Sequence, residues 1–146
     1  MTAPGVVLAV DVGTVRVGVA ASDPHRILAS PVETVAAPGH ERVAALVAER
    51  GAVLVLVGLP TSMSGAASSA SADMARDWTV ALTALIAPVE VRLVDERLTT
   101  VSALASLRAA GRTARSSRAV VDQAAAVALL QAFLDAPGGA DRKIAP

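Results

Sequence analysis

Three carboxylate residues interrupt apolar or structured stretches of the sequence, and together they could hold a metal ion. Asp11 lies within the run VVLAVDVGTVRVGVAASD, Glu96 ends the run VEVRLVDE, and Asp122 lies near the start of an Ala-rich segment. A carboxylate in apolar surroundings is costly to desolvate unless it is hydrogen-bonded, paired or bound to a cation. Carboxylates that come together also repel, so without a cation at least one of them tends to hold a proton. The three acids therefore predict a site for a hard divalent cation.

The predicted cation is Mg²⁺ or Mn²⁺, since both prefer oxygen ligands. Two such ions about 4 Å apart can activate a water and stabilise the leaving oxygen of a phosphodiester. This chemistry needs no histidine, cysteine or lysine. The chain has no cysteine and a single lysine, and its histidines, His25 and His40, lie in predicted loop or cap positions. We expect both histidines at the surface.

Each acid also has a structural interpretation that the sequence leaves open. Asp122 could favour the positive end of a helix dipole, and Glu96 could pair with Arg92 or Arg97 at a strand end. Asp11 has no such partner nearby in the sequence, and its apolar neighbours indicate a buried strand. Asp11 is therefore the strongest candidate of the three.

The elements that must position these acids follow from hydrophobic patterning. Strands are predicted over 6–12, 16–22, 27–35, 52–60 and 89–97, a short helix is predicted within 37–51 with Gly51 as its stop, and helices are predicted over 72–86, 100–110 and 119–134. Pro31 indicates that the third strand is an edge, and the continuously apolar fourth strand is typical of a central parallel one. Asp122 is expected in the first turn of the last helix. The order predicts an α/β sheet with helices on both faces, in which strand ends near the topological switch would gather the acids.

Length and composition limit the classes of function. The 146 residues predict one domain over 1–136 and a disordered tail over 137–146. We find no stretch apolar enough for a membrane span and no signal for secretion, so a cytoplasmic protein without a membrane partner is expected. Net charge is zero, but five arginines and no acid lie between residues 97 and 121. That stretch could equally be an ordinary solvated face in an arginine-rich chain.

Four motifs in register resemble the YqgF/RuvX family of Holliday-junction-resolvase-like nucleases, which have a ribonuclease H-like fold. The motifs are AVDVGTVRVGVAASD, VLVGLPTSMSG, VRLVDERLTT and AVVDQAAAVALLQAFL. The resemblance implies a five-stranded mixed sheet, three antiparallel strands followed by two parallel ones, with helices on both faces. It also implies a site for Mg²⁺ or Mn²⁺ at Asp11, Glu96 and Asp122. Related resolvases carry an acid after the central parallel strand, where this chain has Gly58-Leu59-Pro60, so Glu96 must reach in from the next strand.

The resemblance also gives the arginines a function, because a nuclease must hold a phosphate backbone. The expected nucleic-acid-binding residues are Arg16, Arg97, Arg108, Arg112, Arg115 and Arg118. Val15 stands where the family commonly has a basic residue, and Ser62 and Ser64 stand where Asn and Asp are more usual. These departures remove polar groups that could contact phosphate. Trp78 and Phe133 are expected in the core, which favours recognition by shape and backbone over base stacking.

The sequence predicts a metal-dependent nuclease that acts on structured nucleic acid. The resemblance favours maturation of the 5′ end of pre-16S rRNA, with branched DNA as the alternative substrate. An ATP-binding phosphotransferase, whose phosphate loop also reads DVGT, is disfavoured because such enzymes close the nucleotide between two domains. A nucleic-acid-binding module without catalysis is the third possibility. The protein is expected to be a monomer or a homodimer, and paired cuts in a junction would require two sites.

Overall fold

Five strands form one mixed sheet in the computed structural model, which describes residues 3–60, 70–96 and 117–136. The strands are β1 (Val6–Val12), β2 (Arg16–Ser22), β3 (Ala29–Ala36), β4 (Ala52–Leu59) and β5 (Glu90–Asp95). The described helices are α1 (His40–Arg50), α2 (Ala70–Ile86) and α3 (Ser117–Asp135). None of the described helices is long and apolar enough to cross a membrane.

The sheet order is β3-β2-β1-β4-β5. β2 pairs antiparallel with both β1 and β3, whereas β4 runs parallel to β1 and to β5. This pattern confirms the predicted three antiparallel strands followed by two parallel ones. It also confirms that the strand containing Pro31 is an edge and that the apolar run of β4 is central. β1, which carries Asp11, lies in the middle of the sheet.

The turn between β1 and β2 requires a glycine at position 13. The Gly13 amide donates a hydrogen bond of 2.9 Å to the Arg16 carbonyl oxygen. A Cβ on Gly13 would lie only 2.7 Å from the same oxygen, which is backbone and cannot turn away. The tight connection that follows Asp11 therefore depends on the absence of a side chain.

Two apolar cores lie on opposite faces of the sheet. α1 and α2 pack on one face, where Leu82 of α2 joins Val10 and Val57. α3 packs on the other face, where Leu130 joins Val7 and Ala9. Because strand side chains alternate between faces, Asp11 lies on the α3 face, in line with Val7 and Ala9. Both aromatic residues are buried, Trp78 in the first core and Phe133 in the second, as predicted.

The structure corrects three details of the sequence-based predictions. β3 begins two residues later than predicted, because residues 23–28 form a turn around the Asp23 carboxylate. α3 begins at Ser117, two residues earlier than predicted, so Asp122 lies in the second turn rather than the first. His25 is exposed as expected, but His40 is partly buried and stacks on Trp78 with a ring-centroid distance of 4.8 Å. The helix predicted over 100–110 and the tail over 137–146 lie outside the described residues.

Acid is expected to weaken the turn before β3. The Asp23 carboxylate accepts hydrogen bonds from the amides of Leu28, Ile27 and His25 at 2.8, 2.7 and 3.0 Å. These bonds, that from Leu28 above all, hold the pKa of Asp23 below its ordinary value. A lowered carboxyl pKa contributes stability above the unfolded value, about 3.9, and that contribution is lost as pH falls through the folded pKa.

Asp23→Asn should therefore lower the free energy of unfolding at pH 7. The difference between the variant and the wild type should shrink as the pH is lowered from 7 to 3, because pH 3 lies below the carboxyl pKa of the unfolded chain. Urea unfolding at the two pH values, followed by the fluorescence of the single tryptophan, measures this difference. A difference that is unchanged between pH 7 and pH 3 would contradict the assignment.

Candidate active site

Asp11 lies between two glycines in the middle of the sheet. It pairs with Gly18 of β2. On the other side Val10 pairs with Val57 of β4, so Gly58 is the next residue beside Asp11. The side chain of Asp11 is partly exposed. Since neither flanking residue carries a side chain, the sheet surface around Asp11 on the α3 face is left open to groups from more distant elements.

Glu96 extends over β4 in the direction of Asp11. It directly follows β5, and Gly58 pairs with Val94 two residues before it. A Cβ placed on Gly58 would lie 2.9 Å from Oε1 of Glu96 and 3.3 Å from its Cγ. The same Cβ would lie 3.3 Å from Cδ2 of Leu129 in α3, which shows that Glu96 is on the α3 face. Its carboxylate thus lies over the strand next to Asp11, one strand spacing of about 4.8 Å away.

α3 brings Asp122 to the same end of the sheet. The next residue, Gln123, donates a hydrogen bond of 2.9 Å from Nε2 to Oγ1 of Thr34 in β3. Thr34 pairs with Gly18, which in turn pairs with Asp11, so the three residues form one row across the sheet. The structure describes the backbone of Asp122 in α3 but not its side chain. The backbone of Asp122 therefore lies at the end of the sheet where Thr34, Gly18 and Asp11 form this row.

The carboxylates of this site suit a hard cation. Asp11 and Glu96 lie on the same face of the sheet. Glu96 has room there because residue 58, a glycine, has no side chain. Carboxylate oxygens are the ligands that Mg²⁺ and Mn²⁺ prefer. Among the side chains that the structure describes, no three metal-ligating groups converge. The third predicted ligand, Asp122, lies outside that set.

Of the six arginines predicted to bind nucleic acid, Arg16 is the one whose side chain is described. It opens β2 two residues before Gly18, so alternation places it on the same face as Asp11. Val15, beside it in the turn, is 65% exposed. Arg118 lies in the first turn of α3 with its side chain not described. The following predicted residues lie outside the described ranges: Arg97, Arg108, Arg112, Arg115, Ser62 and Ser64.

Sequence reasoning missed the residues that shape the site without carrying charge. Gly18 and Gly58 flank Asp11, and the Gln123–Thr34 hydrogen bond fixes the start of α3 on the sheet. Gly58 was visible in the sequence as the residue that replaces an acid, but its contact with Glu96 depends on the register of β4 and β5. The one sequence signal for Gln123 is its position directly after Asp122.

The chain is similar to known proteins over most of its length. A family model described as RuvX, Holliday junction resolvase, matches residues 5–136. A Mycobacterium ulcerans protein named as a candidate pre-16S rRNA nuclease is 55% identical over 132 residues, which cover 88% of this chain and 77% of the relative. A Leifsonia xyli protein with the same name is 49% identical over 142 residues, 94% of this chain and 90% of the relative.

A solved structure of a more distant protein shows the same fold. Thermus thermophilus RuvC, in complex with a Holliday junction substrate, superposes with a TM-score of 0.56 at 15% identity. The match covers 88% of this chain and 92% of the RuvC chain. At this identity the likeness shows the fold, which is the ribonuclease H-like one that the sequence predicted. Since the family model spans most of the chain and the relatives are about half identical, the chain belongs to the RuvX family.

Proposed function

We propose that this protein is a divalent-metal-dependent nuclease that hydrolyses phosphodiester bonds in structured nucleic acid, and that its substrate is the 5′ end of pre-16S rRNA. The observation that carries the proposal is the carboxylate of Glu96, which lies over Gly58 of β4, the strand next to that of Asp11. The names of the relatives support the choice of substrate. We further propose that the activity resides in one domain over residues 1–136 and that the protein acts in the cytoplasm.

Asp11, Glu96 and Asp122 would hold Mg²⁺ or Mn²⁺ in this site. When bound, such ions activate a water for attack on phosphorus and stabilise the oxygen that leaves. Asp11 has the central position, because its strand lies in the middle of the sheet, between Gly18 and Gly58. Glu96 would supply its carboxylate from the end of β5, and Asp122 would supply the third from α3.

The basic residues would hold the substrate rather than take part in bond cleavage. Arg16 lies on the face of Asp11, at the open end of the β1–β2 turn. A guanidinium there can orient a phosphate of the backbone towards the carboxylates. The arginines over 97–118 would extend this contact along the substrate, so binding should weaken as salt rises. Because these contacts are to phosphate, they fit structured RNA and branched DNA alike.

Branched DNA is the second candidate substrate, and two comparisons favour it. The family model carries the description Holliday junction resolvase, and the RuvC chain of the same fold was solved with a Holliday junction. Paired cuts in a junction would need two copies of this chain, since each would contribute one site.

A cleavage assay with both substrates tests the proposal. The full chain is incubated with a 5′-extended 16S precursor fragment or with a four-way DNA junction, in Mg²⁺, in Mn²⁺ and in EDTA. We expect metal-dependent cleavage of the precursor at its 5′ side. Cleavage of the junction alone would transfer the proposal to the DNA substrate. Failure to cleave either substrate, by folded protein in the presence of both metals, would contradict a nuclease.

A further inference from the structure

Position 58 lies at the point where the side chain of Glu96 crosses the sheet. Gly58 belongs to β4, the strand between the one that carries Asp11 and the one that leads into Glu96. The side chain of Glu96 lies over the Cα of Gly58. Its Oε1 and Cγ atoms are 2.9 and 3.3 Å from the position that a Cβ on residue 58 would occupy. A single methyl group at this position would occupy the space that the carboxylate now uses.

A side chain at position 58 would move Glu96 rather than the backbone. The first atom in its way is the end of a flexible side chain, and carbon–oxygen contacts of 2.9 Å are too short to persist. The new methyl cannot move aside, because it is attached to the paired backbone of β4; Cδ2 of Leu129 also lies 3.3 Å from it on the α3 side. Interiors are packed too densely to absorb such a conflict without a displacement. The carboxylate of Glu96 is the end of a long side chain, so it is the group that gives way, and it would leave its place over β4 next to Asp11.

We propose that Gly58 is a positioning residue for the metal site: the missing side chain lets a carboxylate from β5 cross β4 and join Asp11. This inference rests on the proposed function, in which Asp11 and Glu96 are metal ligands. A glycine at position 58 thereby allows acids from β1 and from the end of β5, two strands that are not neighbours in the sheet, to act together. Any side chain at position 58, however small and apolar, should weaken the metal site through Glu96.

Metal binding in a double-mutant cycle tests the proposal without relying on activity. Mn²⁺ is titrated into the metal-free full chain, and the free ion is followed by electron paramagnetic resonance. The proteins are the wild type, Gly58→Ala, Glu96→Gln and the double variant. Gly58→Ala is expected to weaken Mn²⁺ binding about 10- to 100-fold, the loss typical of a residue that orients a ligand. In the Glu96→Gln background the same change should have no further effect, because the ligand it displaces is gone.

Two results would overturn the role of Gly58. One is wild-type Mn²⁺ affinity in Gly58→Ala, and the other is a loss that adds in full to that of Glu96→Gln. If Glu96→Gln itself leaves the affinity unchanged, the proposed function fails instead, because Glu96 is then no ligand. Val7→Ala provides a stability control, since it removes a buried side chain from the same strand and face as Asp11 without touching Glu96. It should lower stability and leave Mn²⁺ affinity unchanged.

A second pair of variants keeps the test valid if Gly58→Ala folds poorly. Leu129→Val removes the Cδ2 that the new methyl would approach, so the pair Gly58→Ala with Leu129→Val relieves the crowding against α3. The conflict with Glu96 remains. Compared with Leu129→Val alone, the pair should bind Mn²⁺ about 10- to 100-fold more weakly. Equal affinities would overturn the proposal.

Discussion

Asp11→Asn should lower the rate of nucleic-acid cleavage by at least about 10³-fold while the protein stays folded. Metal ions supply several kcal/mol of stabilisation to the transition state of phosphodiester hydrolysis, and about 4 kcal/mol corresponds to a factor of 10³. Asp11 has the central position among the proposed ligands, on the middle strand of the sheet, so the loss of its charge should cost more of this stabilisation than any other single change. The amide has the same shape as the carboxylate and can be accommodated on β1.

The response of protein stability to metal should report the same loss. An ion that binds only the folded state raises the melting temperature more the more tightly it binds, and Asp11→Asn removes one of the proposed ligands. Added Mn²⁺ should raise the melting temperature of the wild type more than that of the variant.

Asp77→Asn is the matched control for this prediction. Asp77 is an exposed residue of α2, which packs on the opposite face of the sheet from Asp11. The variant makes the same chemical change and should keep both the wild-type cleavage rate and the wild-type response to Mn²⁺. Rates are measured as single-turnover cleavage of the substrate identified in the two-substrate assay. A wild-type rate in Asp11→Asn would exclude the proposed metal site.

The strand framework could be predicted closely because local signals agree with the tertiary structure there. β1 and β2 were predicted residue for residue, since a tight turn at Gly13 separates two short apolar runs. The edge position of β3 followed from Pro31, which cannot donate to a sheet hydrogen bond. The start of β3 could not be predicted, because Asp23 binds three backbone amides that are adjacent in space only once the turn has formed.

Asp11, Glu96 and Asp122 could be proposed as ligands from the sequence, but the position of the Glu96 carboxylate over β4 could not. The apolar surroundings of Asp11 are a local property and were visible in the sequence. The reach of Glu96 depends on a register between β4 and β5 and on Leu129 of α3, neither of which is local. The burial of His40 was missed for the same reason, since its partner Trp78 lies on another helix. Contacts between elements that are far apart in the sequence therefore set the positions of these side chains, which the local sequence pattern does not determine.

α3 is joined to the sheet by apolar packing along its length and by glutamine hydrogen bonds at both ends. Gln123 bonds Thr34 near the start of the helix. Gln131 accepts a bond of 2.9 Å from the Ala29 amide and donates one of 3.2 Å to the Ile27 carbonyl near its end. Between them Leu130 is fully buried among residues of β1 and β4. The helix that carries Asp122 is thus held on the sheet mainly by the burial of the apolar side chains of Leu130 and its neighbours.

Leu130→Ala should therefore lower the free energy of unfolding by about 2–5 kcal/mol, the range for removing a fully buried leucine side chain and leaving a cavity. Leu85→Ala is the matched control, because Leu85 of α2 is 53% exposed, and its loss should change stability by less than about 0.5 kcal/mol. Urea unfolding followed by the fluorescence of Trp78 and by circular dichroism measures both. Equal losses in the two variants would show that α3 is not anchored through Leu130. If it is, cleavage by Leu130→Ala should decline with the folded fraction on warming and approach the wild-type rate where the variant is fully folded, since Leu130 packs in the apolar core and is not one of the proposed ligands.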